Sequence, residues 1–402
     1  MKKISFLLLL TVGFILNSCS QSDWDTPECA PMRSSENIII DESTASEIAL
    51  AAVLSSNSTR SDVGQPEITY VLRSERTRAA NEEDTIAYVF NYPDNGGFAI
   101  VATSTEFDPL IAYSDQGHLN SEDPIIRSMV IEPLTLMHDQ TRENIGQNSA
   151  PSSNFSLTPS LKYEITEELA PQILIRINQE EEPWVNRIQA ETGKKCPVGC
   201  VPLAMTYIMT HCRTAQVIND RNFEFDKIVK SIAINQGVPG LGLSPYSYSY
   251  ATSEMSDLLW LVGLEIHAFQ ALNSNQKWVT SAYSSDARKA FEEWGYEVPS
   301  SLLKIDDSKT IKEYLKNNYL IYVDGTWTYD FKDYGGHAWV IDGYQERFYS
   351  SLSPITTQSK QIYFHHKWGE LEENDGYFNS FVLSVNGAHV ETKNYIPVKI
   401  EK

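Results

Sequence analysis

Two residues in this chain have the types and the surroundings that nucleophilic chemistry needs, Cys200 and His337. In Lys195-Cys-Pro-Val-Gly-Cys-Val-Pro-Leu-Ala-Met-Thr-Tyr-Ile-Met209 a cysteine follows glycine and opens a run of helix formers. That order puts Cys200 at a helix N-terminus, where the backbone dipole favours a thiolate. Pro202 suits the first helical turn, and the residues after it are apolar almost all round, so the helix is expected at the centre of a domain. The same pattern also describes an inert core cysteine, and a partner base decides between the two. Of the eight histidines, His118, His138, His211 and His267 read as structural or surface residues. His337 differs: Tyr334-Gly-Gly-His-Ala-Trp-Val-Ile-Asp-Gly343 places it before an apolar strand and after Gly335 and Gly336, whose missing side chains allow close backbone approach. His365 and His366 are adjacent and point to opposite faces of a strand, so no metal site is expected of them with His337, and no cofactor is implied.

The elements that must hold this pair follow from periodicity. Glu42 to Val53 is a short helical pattern. Ile68–Leu72, Ile86–Phe90, Phe98–Ala102 and Ile111–Ser114 alternate as strands, the second and third joined by the turn Asn91–Gly97. Pro124 to Ile145 has helical spacing that Pro133 kinks or restarts. Residues 147–160 contain no charge and many turn formers, and read as a linker. Beyond it, Ile173–Ile177 reads as a strand, Met255–Val262 as a helix closed by Gly263, and Ser285–Trp294 as a helix ended by Gly295. Tyr319–Val323, Ala338–Ile341, Gln361–Phe364, Gly376–Phe378 and Phe381–Leu383 read as strands. Helices followed by antiparallel strands predict an α+β domain, with the cysteine helix packed on a sheet that presents the histidine.

The full chain of 402 residues is long enough for two cores. A net charge of -21 argues against nucleic acid or anionic membrane surfaces, which demand clustered cations. Residues 1–19 have the charged start, the short apolar stretch and the small-residue end of a secretory signal, too short to span a bilayer. Export implies an oxidising compartment. Cys200 and Cys212 would lie about 18 Å apart along one helix, too far for a bridge, whereas a Cys196–Cys200 bridge would silence the nucleophile. The pairing of Cys29, Cys196 and Cys212 stays open at this level.

The stretches Gly199–Met209 and Gly335–Gly343 resemble the nucleophile helix and the histidine motif of streptopain-like cysteine peptidases of the papain clan. The likeness extends to Ala282–Ala290, to Trp294-Gly-Tyr296, and to Gly97–Ala102 and Pro109–Ser114, which resemble the family's propeptide. Leu16-Asn-Ser-Cys19 resembles a lipobox, which implies a lipid anchor on Cys19 and an exported, outer-membrane or cell-surface protein. The resemblance implies a signal over 1–19, a tether over 20–45, an inhibitory α+β prodomain over 46–146, the linker over 147–160 and a papain-like peptidase domain over 161–402. It implies a zymogen, cut in or near 147–183, that hydrolyses peptide bonds of protein or peptide substrates through Cys200 and His337, with its own propeptide as intramolecular inhibitor. The Cys200 N–H and Asn186, which stands where the family carries Gln, would hold the oxyanion, and Trp368 would shield the site. An apolar residue two before the scissile bond is the implied preference.

One departure from the family pattern sets up the alternative. Where His-x-Asn-Trp-Gly-Trp is common, this chain has His365-His-Lys-Trp-Gly-Glu370, so Lys367 replaces the asparagine and Glu370 the second tryptophan. Lysine has no acceptor for an imidazole N–H. The competing expectation is therefore a degenerate, catalytically weak or inactive homologue acting as a binding or inhibitor lipoprotein.

Overall fold

A computed structural model describes residues 40–56, 63–72, 85–104, 108–146, 162–213, 217–273, 276–305, 307–329, 333–350, 358–369, 374–384 and 390–400. Cys19, Cys29, the linker 147–160 and Glu370 lie outside the described residues. In the N-terminal part, Asp41 accepts the Thr44 N–H at 2.8 Å and caps helix α1 (Glu42–Ser56). The helical pattern read from sequence over Glu42 to Val53 is thus this packed helix, which continues to Ser56. Strands β1 (Glu67–Leu72), β2 (Thr85–Asn91), β3 (Phe98–Ala102) and β4 (Leu110–Ser114) make an antiparallel meander, with α1 against its β3 and β4 strands. Helix α2 (Pro124–Ile126) is capped by Asp123 and runs through a π turn (Arg127–Ile131) into α3 (Glu132–Gly146). Pro133 is the second residue of α3, and its missing N–H explains why the chain widens just before it.

The C-terminal part begins with β5 (Lys162–Leu169). Helices follow: α4 (Asn186–Thr192), α5 (Cys200–Cys212), α6 (Phe225–Asn235) and α7 (Tyr248–Glu265), with two short hairpins, β6 (Val217–Ile218) with β7 (Arg221–Asn222) and β8 (Phe269–Leu272) with β9 (Trp278–Ser281). Then come α8 (Ser284–Glu293), β10 (Tyr296–Glu297), β11 (Leu303–Lys304), α9 (Ser308–Lys316), β12 (Leu320–Tyr329), β13 (Asp333–Ser350), β14 (Gln358–Lys367), β15 (Gly376–Asn379), α10 (Phe381–Ser384) and β16 (Val390–Ile400). Among the described residues no helix is long and apolar enough to cross a membrane.

One twisted sheet runs through both parts in the order β1-β2-β3-β4-β15-β14-β13-β12-β16-β10. The junction is the antiparallel pair β4–β15, where Tyr113 faces Tyr377 and Ala112 faces Phe378. Because side chains alternate along a strand, β12 and β13 feed two different cores. Tyr322, Ala338 and Val340 pack with α5. Val323, Trp339 and Ile341 pack with Ile126, Met129 and Val130 of the N-terminal part.

Three readings from sequence are corrected. Ile173–Ile177 is not a strand, although Ile173, Ile175 and Ile177 are buried; the strand is β5, whose acidic sequence pairs with the far half of β13. Phe381–Leu383 is helical, too short a segment for periodicity to separate the two. Gly263 does not close α7, which continues to Glu265. Strand β16, not foreseen, lies between β12 and β10 despite carrying Pro397.

Candidate active site

Gly199 holds φ near 100° as the N-cap of α5, a conformation that favours glycine, and a Cβ there would crowd Thr280 at 3.0 Å. From Val201 to Thr210 every residue of α5 is buried, so the helix is fixed on all sides while Cys200 remains half-buried at its tip. The thiol is not poised as a thiolate. Burial pushes its pKa up, against backbone N–H groups of Ala338, Val201 and Cys200, and the nearby Asp324 charge pushes it further up. Burial thus opposes the ionised form that the helix terminus favours. Cys196, Cys200 and Cys212 are all free thiols, and Cys196 lies 3.6 Å from the Thr192 hydroxyl.

Among the described residues no hydrogen bond joins the His337 ring to Cys200. Ala338, on the α5 face of β13, reaches the thiol, and His337 shares the opposite face with Trp339. There His337 lies fully within the sheet's second core, with Nε2 2.8 Å from the Trp368 carbonyl oxygen and its ring stacked 6.1 Å from Trp339 and 6.4 Å from Trp368. Burial lowers its pKa to about 4, so the imidazole is neutral and its Nε2–H donates to Trp368. Two side chains of the N-terminal part attend it. Asp123, the cap of α2, is close enough to act on its charge, and Met129 of the π turn sits over Gly325, the cross-strand partner of His337.

Trp368 is buried among His337, Trp339, His366 and Phe378, and its backbone N–H donates to Asp375 at 2.7 Å. Lys367 faces the other way. Its ammonium donates to Asp375 at 3.0 Å and lies 5.2 Å from the Tyr207 ring centre. Burial opposes that charge, but Asp375 more than compensates and holds the Lys367 pKa above its ordinary value. Lys367 therefore makes no hydrogen bond to His337. Asn186 is exposed at the start of α4, and its amide makes no hydrogen bond among the described residues. Gly335 and Gly336 precede His337 within β13, but a Cβ at Gly336 would meet neighbours only at 3.6 Å and beyond, so close packing does not demand glycine there.

Two buried ion pairs escaped the sequence reading. Asp342 is fully buried, accepts the Ile173 N–H at 2.8 Å, and holds His365 Nδ1 at 2.6 Å. Burial works against its ionised form, yet His365 and Lys367 hold its pKa below the usual carboxylate range. Asp375 ties Lys367 to the Trp368 backbone. Both aspartates precede glycine, a pattern that a plain turn also shows.

A second set of contacts binds the two parts. Tyr113 of β4 donates its hydroxyl to the Gln345 side chain, and Arg347 lies 3.9 Å over the Tyr113 ring. Tyr363 donates to Asp108 at 2.6 Å. Burial raises the Asp108 pKa to about 7. Asn374 reaches back as well, donating its N–H to the His118 carbonyl at 3.1 Å and accepting the Asn120 N–H at 2.9 Å.

Comparisons with known proteins agree with this division. Residues 38–131 match the family model of the Spi protease inhibitor, and residues 178–378 match that of the Peptidase C10 family. Among solved structures, active wild-type interpain A cysteine protease of Prevotella intermedia aligns at 14% identity over 58% of this chain and 95% of that one, with a TM-score of 0.39. None of the curated proteins matches the chain. The chain, with its mixed helices and antiparallel sheet of papain-like type and its inhibitor-like leading part, belongs to the Peptidase C10 family of cysteine peptidases.

Proposed function

We propose that the protein is an exported cysteine endopeptidase in its latent form, in which the N-terminal part keeps His337 apart from Cys200. The observation that carries this reading is the position of His337 on the prodomain face of β13, hydrogen-bonded to the Trp368 carbonyl, while the Cys200 thiol meets backbone N–H groups of Ala338, Val201 and Cys200. A protonated thiol and a neutral imidazole bonded to a carbonyl do not form the ion pair that starts acyl transfer.

Cleavage and release of the prodomain would remove Met129 and Asp123 from His337. The β12–β13 hairpin then has to present the ring on the α5 face, where it takes the Cys200 proton. The thiolate attacks a peptide carbonyl, and the Cys200 N–H holds the oxyanion, with Asn186 as the second donor. His337 protonates the leaving amine, and water then hydrolyses the thioester to return the free thiol. Trp368 covers the imidazole from solvent, and Gly335 and Gly336 give the hairpin the backbone freedom for this change.

The reading is tested with an epoxide thiol-protease inhibitor. Labelling is expected to be slow in the full chain, fast after removal of the leading residues, and lost in Cys200→Ala, which also stops propeptide removal. Persistent labelling in that variant sinks the nucleophile assignment. Export and anchoring through Cys19 are tested separately: a palmitate label is expected on the native chain and not on Cys19→Ser, and equal labelling of both refutes the anchor.

The ion pair of Lys367 with Asp375 favours one second reading, a catalytically weak or inactive homologue that binds protein partners. It predicts no casein hydrolysis after removal of residues 1–160. Any turnover that depends on Cys200 rules it out.

A further inference from the structure

The α5 face of the sheet carries one charged group next to the thiol that neither the fold nor the proposed chemistry uses. Asp324 on β12 is the direct cross-strand partner of Ala338, so their side chains share a face; Ala338 packs in the α5 core with Cys200, and its backbone N–H is in reach of the thiol. On its other side Asp324 pairs with Asn394 of β16, whose amide donates to one carboxylate oxygen at 2.8 Å. The carboxylate is half-exposed, and among the described residues no Lys, Arg or His forms an ion pair with it. Lys393, next to Asn394 on β16, pairs with Gly325 and so projects to the opposite face, where it donates to the Val382 carbonyl. Next to Asp324 the wall is open, because the following pair on this face, Thr326 and Gly336, is exposed. Tyr322 closes the inner side, its hydroxyl 2.8 Å from that of Ser284 at the start of α8.

An ionised carboxylate here works against a thiolate, so it does not serve the nucleophile. It is instead placed to meet whatever occupies the open space beside the sulfur. We propose that Asp324 is a specificity-determining residue, an anionic wall that selects a Lys or Arg side chain flanking the scissile bond. This rests on the peptidase reading and deepens it by adding a charge requirement to the apolar preference implied by the family resemblance. A partly desolvated carboxylate attracts a cation near it far more strongly than bulk water would allow, and salt weakens the effect.

The test does not depend on turnover. Full-length protein and Asp324→Asn are treated at low ionic strength with methanethiosulfonates carrying an aminoethyl cation, a neutral methyl or a sulfonatoethyl anion, and the rate at Cys200 is read by peptide mass mapping. The native protein is expected to favour the cation over the anion by on the order of tenfold or more, with the ratio falling toward unity in Asp324→Asn and at high salt. Equal ratios in the two proteins overturn the proposal. In the activated protein, the kcat/KM ratio of a peptide with Lys beside the scissile bond to one with Leu there is expected to collapse in Asp324→Asn, and an unchanged ratio again overturns it. Absence of any Cys200-dependent hydrolysis counts against the peptidase reading alone, since the alkylation ratios still decide whether Asp324 selects charge at the thiol.

Discussion

Met129 occupies the space that a side chain at Gly325 would fill: a Cβ built on Gly325 would lie 2.6 Å from the Met129 methyl carbon and 3.0 Å from its sulfur. The contact joins the π turn of the prodomain to the strand position directly opposite His337. Gly325→Ala is therefore expected to push the prodomain off this part of the sheet and to speed epoxide labelling of the full chain. Met129→Ala should act in the same direction by removing the buried thioether, at about 2–5 kcal/mol of stability. Both are read as labelling rate and melting temperature. Unchanged labelling in both variants counts against a role for this contact in latency.

Activation should cut before Lys162. Seven residues of β5 pair with β13, and Glu167 bonds Lys312 at 2.6 Å and Tyr344 at 2.8 Å. A protease needs an extended, unpaired segment, so the earlier range of 147–183 narrows to its first part. Mass spectrometry of the mature N-terminus checks this. A start beyond Leu169 would mean that β5 leaves with the prodomain.

Two buried groups give the latent form an opposed pH response. The His337 pKa is lowered to about 4, so its contribution is full above its ordinary value of about 6.5 and is lost as pH falls through 4. The Asp108 pKa is raised to about 7, so its contribution is full below about 3.9 and is lost as pH rises through 7. Between pH 4 and 6.5 the two slopes oppose one another. Asp108→Asn removes one of them and is expected to make the protein lose stability on acidification, by up to about 3 kcal/mol for the His337 shift alone. Thermal melts across this range decide it, and parallel curves for the two proteins contradict the assignment.

Lys367→Asn restores the residue type common in the family but leaves Asp375 buried with only the Trp368 N–H. Breaking a buried pair in this way is expected to cost about 3–5 kcal/mol. Adding Asp375→Asn should recover much of that loss, because no uncompensated charge remains. Melting temperatures of the single and double variants test the coupling. Casein turnover of the double variant after activation then reports whether an amide near Trp368 improves catalysis.

The helix of Cys200 was legible because its apolar run, the preceding glycine and Pro202 all specify the same local structure. The prodomain strands were legible because their short β-branched and aromatic runs are broken by a turn of Asp, Asn and Gly. What could not be read was which side of a strand faces what. Period-two alternation shows that His337 and Ala338 point apart, but only the packing of α5 on one face and Met129 on the other says which of them meets the thiol. Strand β16 is not foreseen because Pro397 and the charged residues of Val390-Glu-Thr-Lys-Asn394 disfavour an interior strand, a preference that tertiary pairing on both sides outweighs. Asp342 and Asp375 were passed over because a buried carboxylate and a turn aspartate look alike until their partners are known.

The pairing of β4 with β15 has a further consequence. When the leading strands depart, the backbone of Tyr377 and Phe378 loses its neighbour, and the peptidase sheet gains an open edge ending in two large aromatic rings. Such an edge is a template for any extended chain. Maturation thus trades a folded inhibitor for a sticky border, one that a returning propeptide, a partner's strand or a second mature molecule can complete.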